Sequence, residues 1–227
     1  MKPKIYDLVL SALKEELEER GYSATEVETL IDNYSWFVSE YVLLRVLLRS
    51  GLSRGKFQQS LDFLIERHEI LAKEIRSGST VLDIGCGLGI LASLLAEKNC
   101  QVYGVAKRLS KMLKVEKLCT FHKVESNKLP FNPATFDYVV LSWTLHDIKL
   151  EEREPLLAEC IRVLKPDGKL LILDPESRLN FDQLHEMLSN QPVKRMQRKI
   201  LSTVYDHGAL SNAVLVAYQK RQANRRL

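Results

Sequence analysis

The sequence predicts a doubly wound α/β fold, a mostly parallel seven-stranded sheet with an all-helical N-terminal extension. Three observations predict it. From Thr80 onward, short apolar runs alternate with amphipathic stretches, the pattern of strand–helix–strand units. Phe136 to Ser142 is continuous and apolar, as a strand buried on both faces should be. A glycine-rich turn falls between the first strand and its helix, at the crossing where open α/β sheets bind ligands.

The elements follow in order. Ile5, Leu8, Val9, Ala12, Leu13 and Leu17 keep helical spacing, and Gly21 stops the run. Thr25-Glu26-Val27-Glu28 has the capping-box form, a hydroxyl followed three residues later by a carboxylate, and predicts a second helix toward Arg49, ended by Ser50-Gly51. Leu61, Leu64, Ile65, His68, Leu71, Ala72 and Ile75 form a third helical stripe, closed by Ser77-Gly78. The first strand is then Val81 to Ile84, with a helix through Glu97. Gln101 to Val105, Phe121 to Glu125 and Phe136 to Ser142 are the next three strands. A helix from about Glu151 to Leu164 carries Pro155 in its first turn, where a missing N–H does little harm. Lys165 to Gly168 reads as a turn, Lys169 to Asp174 as the fifth strand and Asn180 to Ser189 as a helix. Lys199 to Tyr205 and Ala213 to Gln219 are two late strands flanking Asp206-His207-Gly208. The expected division is a helical extension or lid over 1–78, a ligand-binding domain over 79–220 and a basic tail over 221–227.

Length and composition agree with that plan. A chain of 227 residues can bury one sizeable α/β core plus an appendage. Hydrophobic residues at 45% and charged residues at 27% are those of a globular protein rather than a disordered one. The longest apolar run, Tyr41 to Leu48, is broken by Arg45 and falls far short of the ~20 residues of a membrane span. Asp7 and the charged stretch Lys14 to Arg20 follow the basic start too soon for a signal peptide, so the expected location is the cytoplasm and no membrane partner is expected. Cys86, Cys100, Cys119 and Cys160 are scattered and form no metal-ligand spacing, so they are expected to be reduced thiols without a metal. The net charge of +4 is uneven: Lys107 to Lys128 carry seven Lys or Arg against Glu116 and Glu125, and Val193 to Leu227 carry a second basic excess. Such segments either attract anions, RNA included, or simply solvate exposed faces.

The glycine turn, Asp83-Ile84-Gly85-Cys86-Gly87-Leu88-Gly89, lets the backbone approach a ligand above a helix N-terminus. It is not a dinucleotide fingerprint, because Ile90 stands where glycine or alanine is required. Asp83, at the strand end, suits a ligand bearing an amino group better than a pyrophosphate.

Val81 to Gly89 resembles motif I of the class I S-adenosylmethionine-dependent methyltransferases, of the methyltransferase type 11 kind. The similarity continues in order through Leu129-Pro130-Phe131, Phe136 to Val140, Leu145-His146-Asp147-Ile148 and Arg162 to Leu170, and covers roughly 79–220. The resemblance implies S-adenosylmethionine as cofactor. It implies that Asp83 orders the loop and the methionine end, and that Gly85, Cys86 and Gly87 supply the close backbone surface. Ala106 and Lys107 fall at the end of strand two, beside the ribose. Glu125 and Ser126, with Asn127 close by, stand where an acid meets the adenine amino group. Ser142 and Trp143 lie beside the methyl. Glu125 is otherwise a surface acid, and Trp143 otherwise fills space beneath the N-terminal helices.

One position departs from the family. Strand two is usually followed by an acid for the ribose hydroxyls, and here Ala106, Lys107 and Arg108 follow instead. Such charge-assisted bonds are worth about 1.5–3 kcal/mol each. Three readings stand: another group substitutes for the acid, catalysis has been lost, or the basic pair receives a phosphate as in NADP sites; the first fits the intact motif series best.

For the chemistry, Trp143 offers a cation–π face to a sulfonium. His146 is the candidate base, oriented by Asp147, with packing as its other available role. Asp174 and Glu176 open toward the same rim. Leu141-Ser142-Trp143-Thr144 lacks the Asn/Asp-Pro-Pro-aromatic signature of base N-methyltransferases and the Pro-Cys or Thr-Cys pair of cytosine C5 enzymes. A small-molecule acceptor is the first expectation, with RNA as a further partner. The alternative is a non-catalytic methyltransferase-like module that binds RNA or an acidic partner. The sequence leaves open the oligomeric state and the identity of the acceptor.

Overall fold

A computed structural model of the protein describes residues 14, 18, 23–26, 67–87, 89–107, 119–124, 128–206 and 209–222. The first two expected helices lie outside the described residues, except that 14, 18 and 24–26 are helical. At the start of the second helix the capping box is displaced from expectation. Ser23 N–H and Oγ–H donate to Glu26 Oε2 at 2.8 and 2.7 Å, so the box is Ser23-Ala24-Thr25-Glu26, two residues before the expected one.

Seven strands form one sheet in the order β3-β2-β1-β4-β5-β7-β6. β1 (Thr80–Ile84), β2 (Gln101–Ala106), β3 (Cys119–Lys123), β4 (Phe136–Ser142) and β5 (Leu164–Pro175) run parallel. β6 (Val193–Asp206) and β7 (Ala209–Lys220) add an antiparallel hairpin, with β7 inserted beside β5. The helices are α1 (Ile90–Ala96), α2 (Leu150–Val163) and α3 (Phe181–Ser189), with a 3₁₀ turn at Leu145–Asp147. Residues 67–74 are also helical. The doubly wound, mostly parallel sheet is therefore as the sequence predicts.

Most boundaries shift by at most a residue, and four strands shift by more; β7 begins at Ala209 rather than Ala213, because Ala209 to Asn212 pair with Asp206 to Thr203 of β6. β3 begins two residues before expectation, because Cys119 and Thr120 find register partners in Val102 and Tyr103. The turn expected at Lys165 to Gly168 lies inside β5. Leu164 pairs with Phe136 and Lys169 with Tyr138, so four residues of β5 loop out opposite one of β4, with Asp167 at φ 63°. β6 starts at Val193 rather than Lys199, because its first half is a basic edge strand whose apolar alternation is weak. Lysine and arginine on an edge strand discourage pairing with another chain, which accounts for part of the C-terminal basic excess.

The core fills both faces of the central strands. Leu82, Ile84, Val139 and Leu141 pack against Leu156, Leu157, Cys160 and Ile161 of α2. Leu71, Ala72 and Ile75 are buried as well, and Lys98 beyond α1 donates to Ala72 O at 2.6 Å and to Ile75 O. The helix before β1 is thereby fastened to the end of α1. Arg162 of α2 secures the segment before β4, donating to Phe131 O at 2.8 Å and Leu129 O at 3.1 Å while paired with Glu159. Cys86, Cys100 and Cys160 are free and buried. Among the described residues, no helix is long and apolar enough to cross a membrane.

Candidate active site

The site forms where parallel strands end. β1 lies between β2 and β4, so connections leave its carboxyl end in opposite directions and open a crevice there. Asp83, Ser142 and Asp174 sit at or next to the carboxyl ends of β1, β4 and β5, and all three are buried.

The glycine turn crosses this crevice in left-handed backbone. Gly85, Gly87 and Gly89 have φ of 74°, 51° and 74°. Gly85 N–H donates to Val105 O at 2.8 Å, fastening the turn to β2. Gly85 has a second reason to lack a side chain: a Cβ there would stand 2.3 Å from Thr144 Oγ1. Thr144 Oγ lies 3.1 Å from Ile84 O and 3.0 Å from Ser142 O, so one hydroxyl joins the ends of β1 and β4. The close approach at Gly85 is thus to Thr144.

Asp83 is 3% exposed, and burial pushes its carboxyl up to about 7, against the opposing pull of Arg67. Arg67 reaches the site from the helix before β1. It is 7% exposed, its guanidinium carbon lies 4.8 Å from the centre of the Trp143 ring, and burial lowers it to about 10 while Asp174 and Asp83 raise it. Sequence reasoning missed Arg67. The signal was available, because Arg67 precedes the buried Leu71 and Ile75 by four and eight residues and so shares their helical face.

Trp143 follows β4 at φ 54°, a conformation that costs a non-glycine residue of order 1–3 kcal/mol. Its backbone N–H donates to Leu173 O at 2.8 Å, which holds the strained residue in place. Beside it, Ser142 Oγ is buried with no hydrogen-bond partner among the described residues.

His146 lies in the 3₁₀ turn with its side chain 1% exposed. The expected orienting residue was Asp147, but Nδ1 is hydrogen-bonded to Asp174 Oδ1. Asp147 Oδ1 instead approaches Nε2 at 3.3 Å and takes a 2.7 Å bond from Arg178. Asp174 also accepts the Leu145 N–H at 3.2 Å; burial pushes its carboxyl up, opposed by His146, Leu145 and Arg67. Arg153 braces the turn through Ile148 O at 2.9 Å and His146 O at 3.2 Å. Glu176 turns away, to Arg198 at 2.8 Å and the Asn212 amide at 3.0 Å.

The remaining expected residues divide. Cys86 is buried in the turn. Ala106 ends β2 half-buried, and no acid follows; Lys107 instead meets Glu152 of α2 at 3.5 Å. Glu125, Ser126 and Asn127 lie outside the described residues. Among the described residues no cluster of His, Cys, Asp or Glu could hold a metal ion.

These donors fit a zwitterionic sulfonium ligand. They offer a buried carboxylate for an ammonium, a guanidinium for a carboxylate, a ring face for a sulfonium and an unsatisfied hydroxyl. Sheet order and site together define a class I methyltransferase fold.

The comparisons with known proteins agree. The family model "Methyltransferase domain" matches residues 82–172. A ubiquinone/menaquinone biosynthesis C-methyltransferase of Marinomonas sp. is 28% identical over 205 residues, covering 83% of this chain and 76% of its own. A methyltransferase of Streptomyces halstedii is 27% identical over 180 residues, covering 69% of this chain and 64% of its own length, just under two thirds. Among solved structures, 1,6-didemethyltoxoflavin-N1-methyltransferase of Burkholderia thailandensis, with 1,6-didemethyltoxoflavin and S-adenosylhomocysteine bound, superimposes with a TM-score of 0.58 at 17% identity, covering 69% of this chain and 77% of that one. Residues 82–172 thus match a methyltransferase domain, and the relatives support an S-adenosylmethionine-dependent methyltransferase of the class I fold whose acceptor they do not determine.

Proposed function

We propose that this domain methylates a small-molecule acceptor, and that the crevice over Asp83 holds the donor while the end of β4 receives the acceptor. Bound S-adenosylmethionine supplies an activated methyl group on sulfur. Asp83 takes its ammonium and Arg67 its carboxylate, so the head of the donor enters between two groups that already attract each other. Ser142 Oγ gains the partner it lacks, and the Trp143 face receives the cationic sulfur. Glu152, held at Lys107, supplies a carboxylate near a strand end that has none of its own. Positioning and exclusion of water carry an in-line methyl displacement, and both need walls as buried as these.

The observation that carries the reading is Asp83, a buried carboxylate beneath a glycine turn with a raised proton affinity. Such a group is costly to keep in a fold unless a cation meets it. The small-molecule choice is supported by similar proteins named for ubiquinone/menaquinone biosynthesis and for N1-methylation of 1,6-didemethyltoxoflavin. It is also supported by the absence of the nucleic-acid methyltransferase signatures after Leu141. Calorimetric titration with S-adenosylmethionine, S-adenosylhomocysteine and NADPH tests it. Micromolar binding of the first two, lost in Asp83→Ala, is expected and justifies a screen of hydroxylated aromatic acceptors. Failure of both to bind a folded protein refutes it.

A further inference from the structure

Two carboxylates approach His146, and they are not equivalent. Asp174 is 0% exposed and bonds Nδ1, while a backbone N–H from Leu145 fixes its second oxygen at 3.2 Å. Asp147 is 65% exposed, approaches Nε2 at 3.3 Å and is tethered to Arg178, itself near the surface. A carboxylate held on both oxygens within the fold sets the orientation of an imidazole, whereas an exposed one can be displaced by an entering ligand. An ionised carboxylate only accepts, so a neutral imidazole bonded to it carries its proton on the facing nitrogen.

We propose that Asp174, not Asp147, is the positioning residue of this site: it holds His146 with the proton on Nδ1 and leaves Nε2 to accept a proton from an acceptor hydroxyl. This rests on the methyl-transfer reading for its substrate class, an acceptor that must lose a proton to react. As the hydroxyl proton passes to Nε2, the acceptor's electron pair forms the new bond to the methyl carbon. The carbon–sulfur pair stays on sulfur, which leaves as a neutral thioether. Asp174 then faces an imidazolium, whose charge it stabilises. Asp147 swings aside to admit the acceptor; its exposure permits this without opening the core.

The tautomer of His146 tests the proposal without donor or acceptor. The full chain, labelled with ¹⁵N-histidine, has five imidazoles, and His146 is assigned from the signals lost in His146→Gln. At a pH where the imidazole is neutral, wild type is expected to show the proton on Nδ1, and Asp147→Asn is expected to leave it there. In Asp174→Asn the preference for Nδ1 is lost, and the Nε2-protonated form rises from a minor to the major species. A proton on Nε2 in wild type, a tautomer that changes in Asp147→Asn, or one unmoved in Asp174→Asn overturns the assignment. Should Asp174→Asn not fold, wild type and the exposed-site variant decide the matter by themselves. Because no ligand is present, failure here is distinct from failure of S-adenosylhomocysteine to bind.

Discussion

Donor affinity is expected to rise with pH, and Asp83 sets the direction. In the folded protein without ligand its carboxyl titrates near 7, because burial outweighs the attraction of Arg67; in the unfolded chain the ordinary value is 3.8. Between those values the folded state holds a proton that the unfolded chain has released. Each pH unit across that window therefore costs the folded state up to ~1.4 kcal/mol, and the penalty is complete above about 7. A donor ammonium on the carboxylate reverses the balance, since an opposite charge favours the ionised form. Binding below about 7 then expels a proton, and affinity is expected to climb up to tenfold per pH unit before flattening. Working between about pH 5.5 and 7 keeps the ligand's α-amino group, ordinarily near 7.7–8.0, protonated. Calorimetry with S-adenosylhomocysteine in buffers of different ionisation enthalpy reads affinity and proton release together. In Asp83→Asn the slope and the proton release should vanish, with affinity near neutral pH about 10–100-fold weaker, the equivalent of one charge-assisted bond. Constant affinity across the window, with no proton release in wild type, refutes the pairing of Asp83 with the ammonium.

Two further predictions concern the frame of the site. Gly85→Ala combines a φ of 74° with a Cβ 2.3 Å from Thr144 Oγ1, so a loss of about 2–4 kcal/mol is expected in urea unfolding; Thr144→Ala in the same chain should return ~1–2 kcal/mol by double-mutant cycle, and strict additivity contradicts the contact. Lys220 Nζ donates to Ile161 O at 2.7 Å and Leu164 O at 2.6 Å, closing the end of α2, so Lys220→Met should lower stability by about 1–2 kcal/mol, against no change if the ammonium is merely solvated.

The strands were legible because each central one is a run of apolar residues bounded by turn residues, a pattern that survives without knowledge of neighbours. β4 is read to the residue. β6 was half legible because an edge strand has one free side, and Lys194, Arg195 and Arg198 hide its alternation. The excursion within β5 was read as a turn because Pro166-Asp167-Gly168 is turn chemistry; that the strand resumes pairing before it depends on Phe136, in another strand. The site divides in the same way. Asp83, the glycines, Ser142, Trp143 and His146 are consecutive or nearly so and were read locally. The pairing of His146 with Asp174 crosses 28 residues and exists only because β4 and β5 are neighbours. Arg67 shares the buried helical face of Leu71 and Ile75, which marks it locally, but its nearness to Asp83 and Asp174 depends on packing across the fold that the sequence does not display.

What the fold tolerates at this crevice argues for its use. The buried polar or charged residues among those described are Arg67, His68, Ser79, Asp83, Ser142 and Asp174, and four of the six converge on the carboxyl ends of β1, β4 and β5. Two are carboxylates whose proton affinity burial raises, a shift Arg67 opposes in both and His146 opposes more strongly in Asp174, and one is a hydroxyl without a partner among the described residues. The residue that follows β4 is a tryptophan where glycine would sit without strain. A core optimised for stability would replace each of these, since burying an unmatched charge or hydroxyl costs more than packing an apolar group there. Sequences violate the rules of stable folding chiefly where function requires it. These departures meet in one crevice, at the carboxyl ends of neighbouring parallel strands, which is where open α/β sheets bind their ligands.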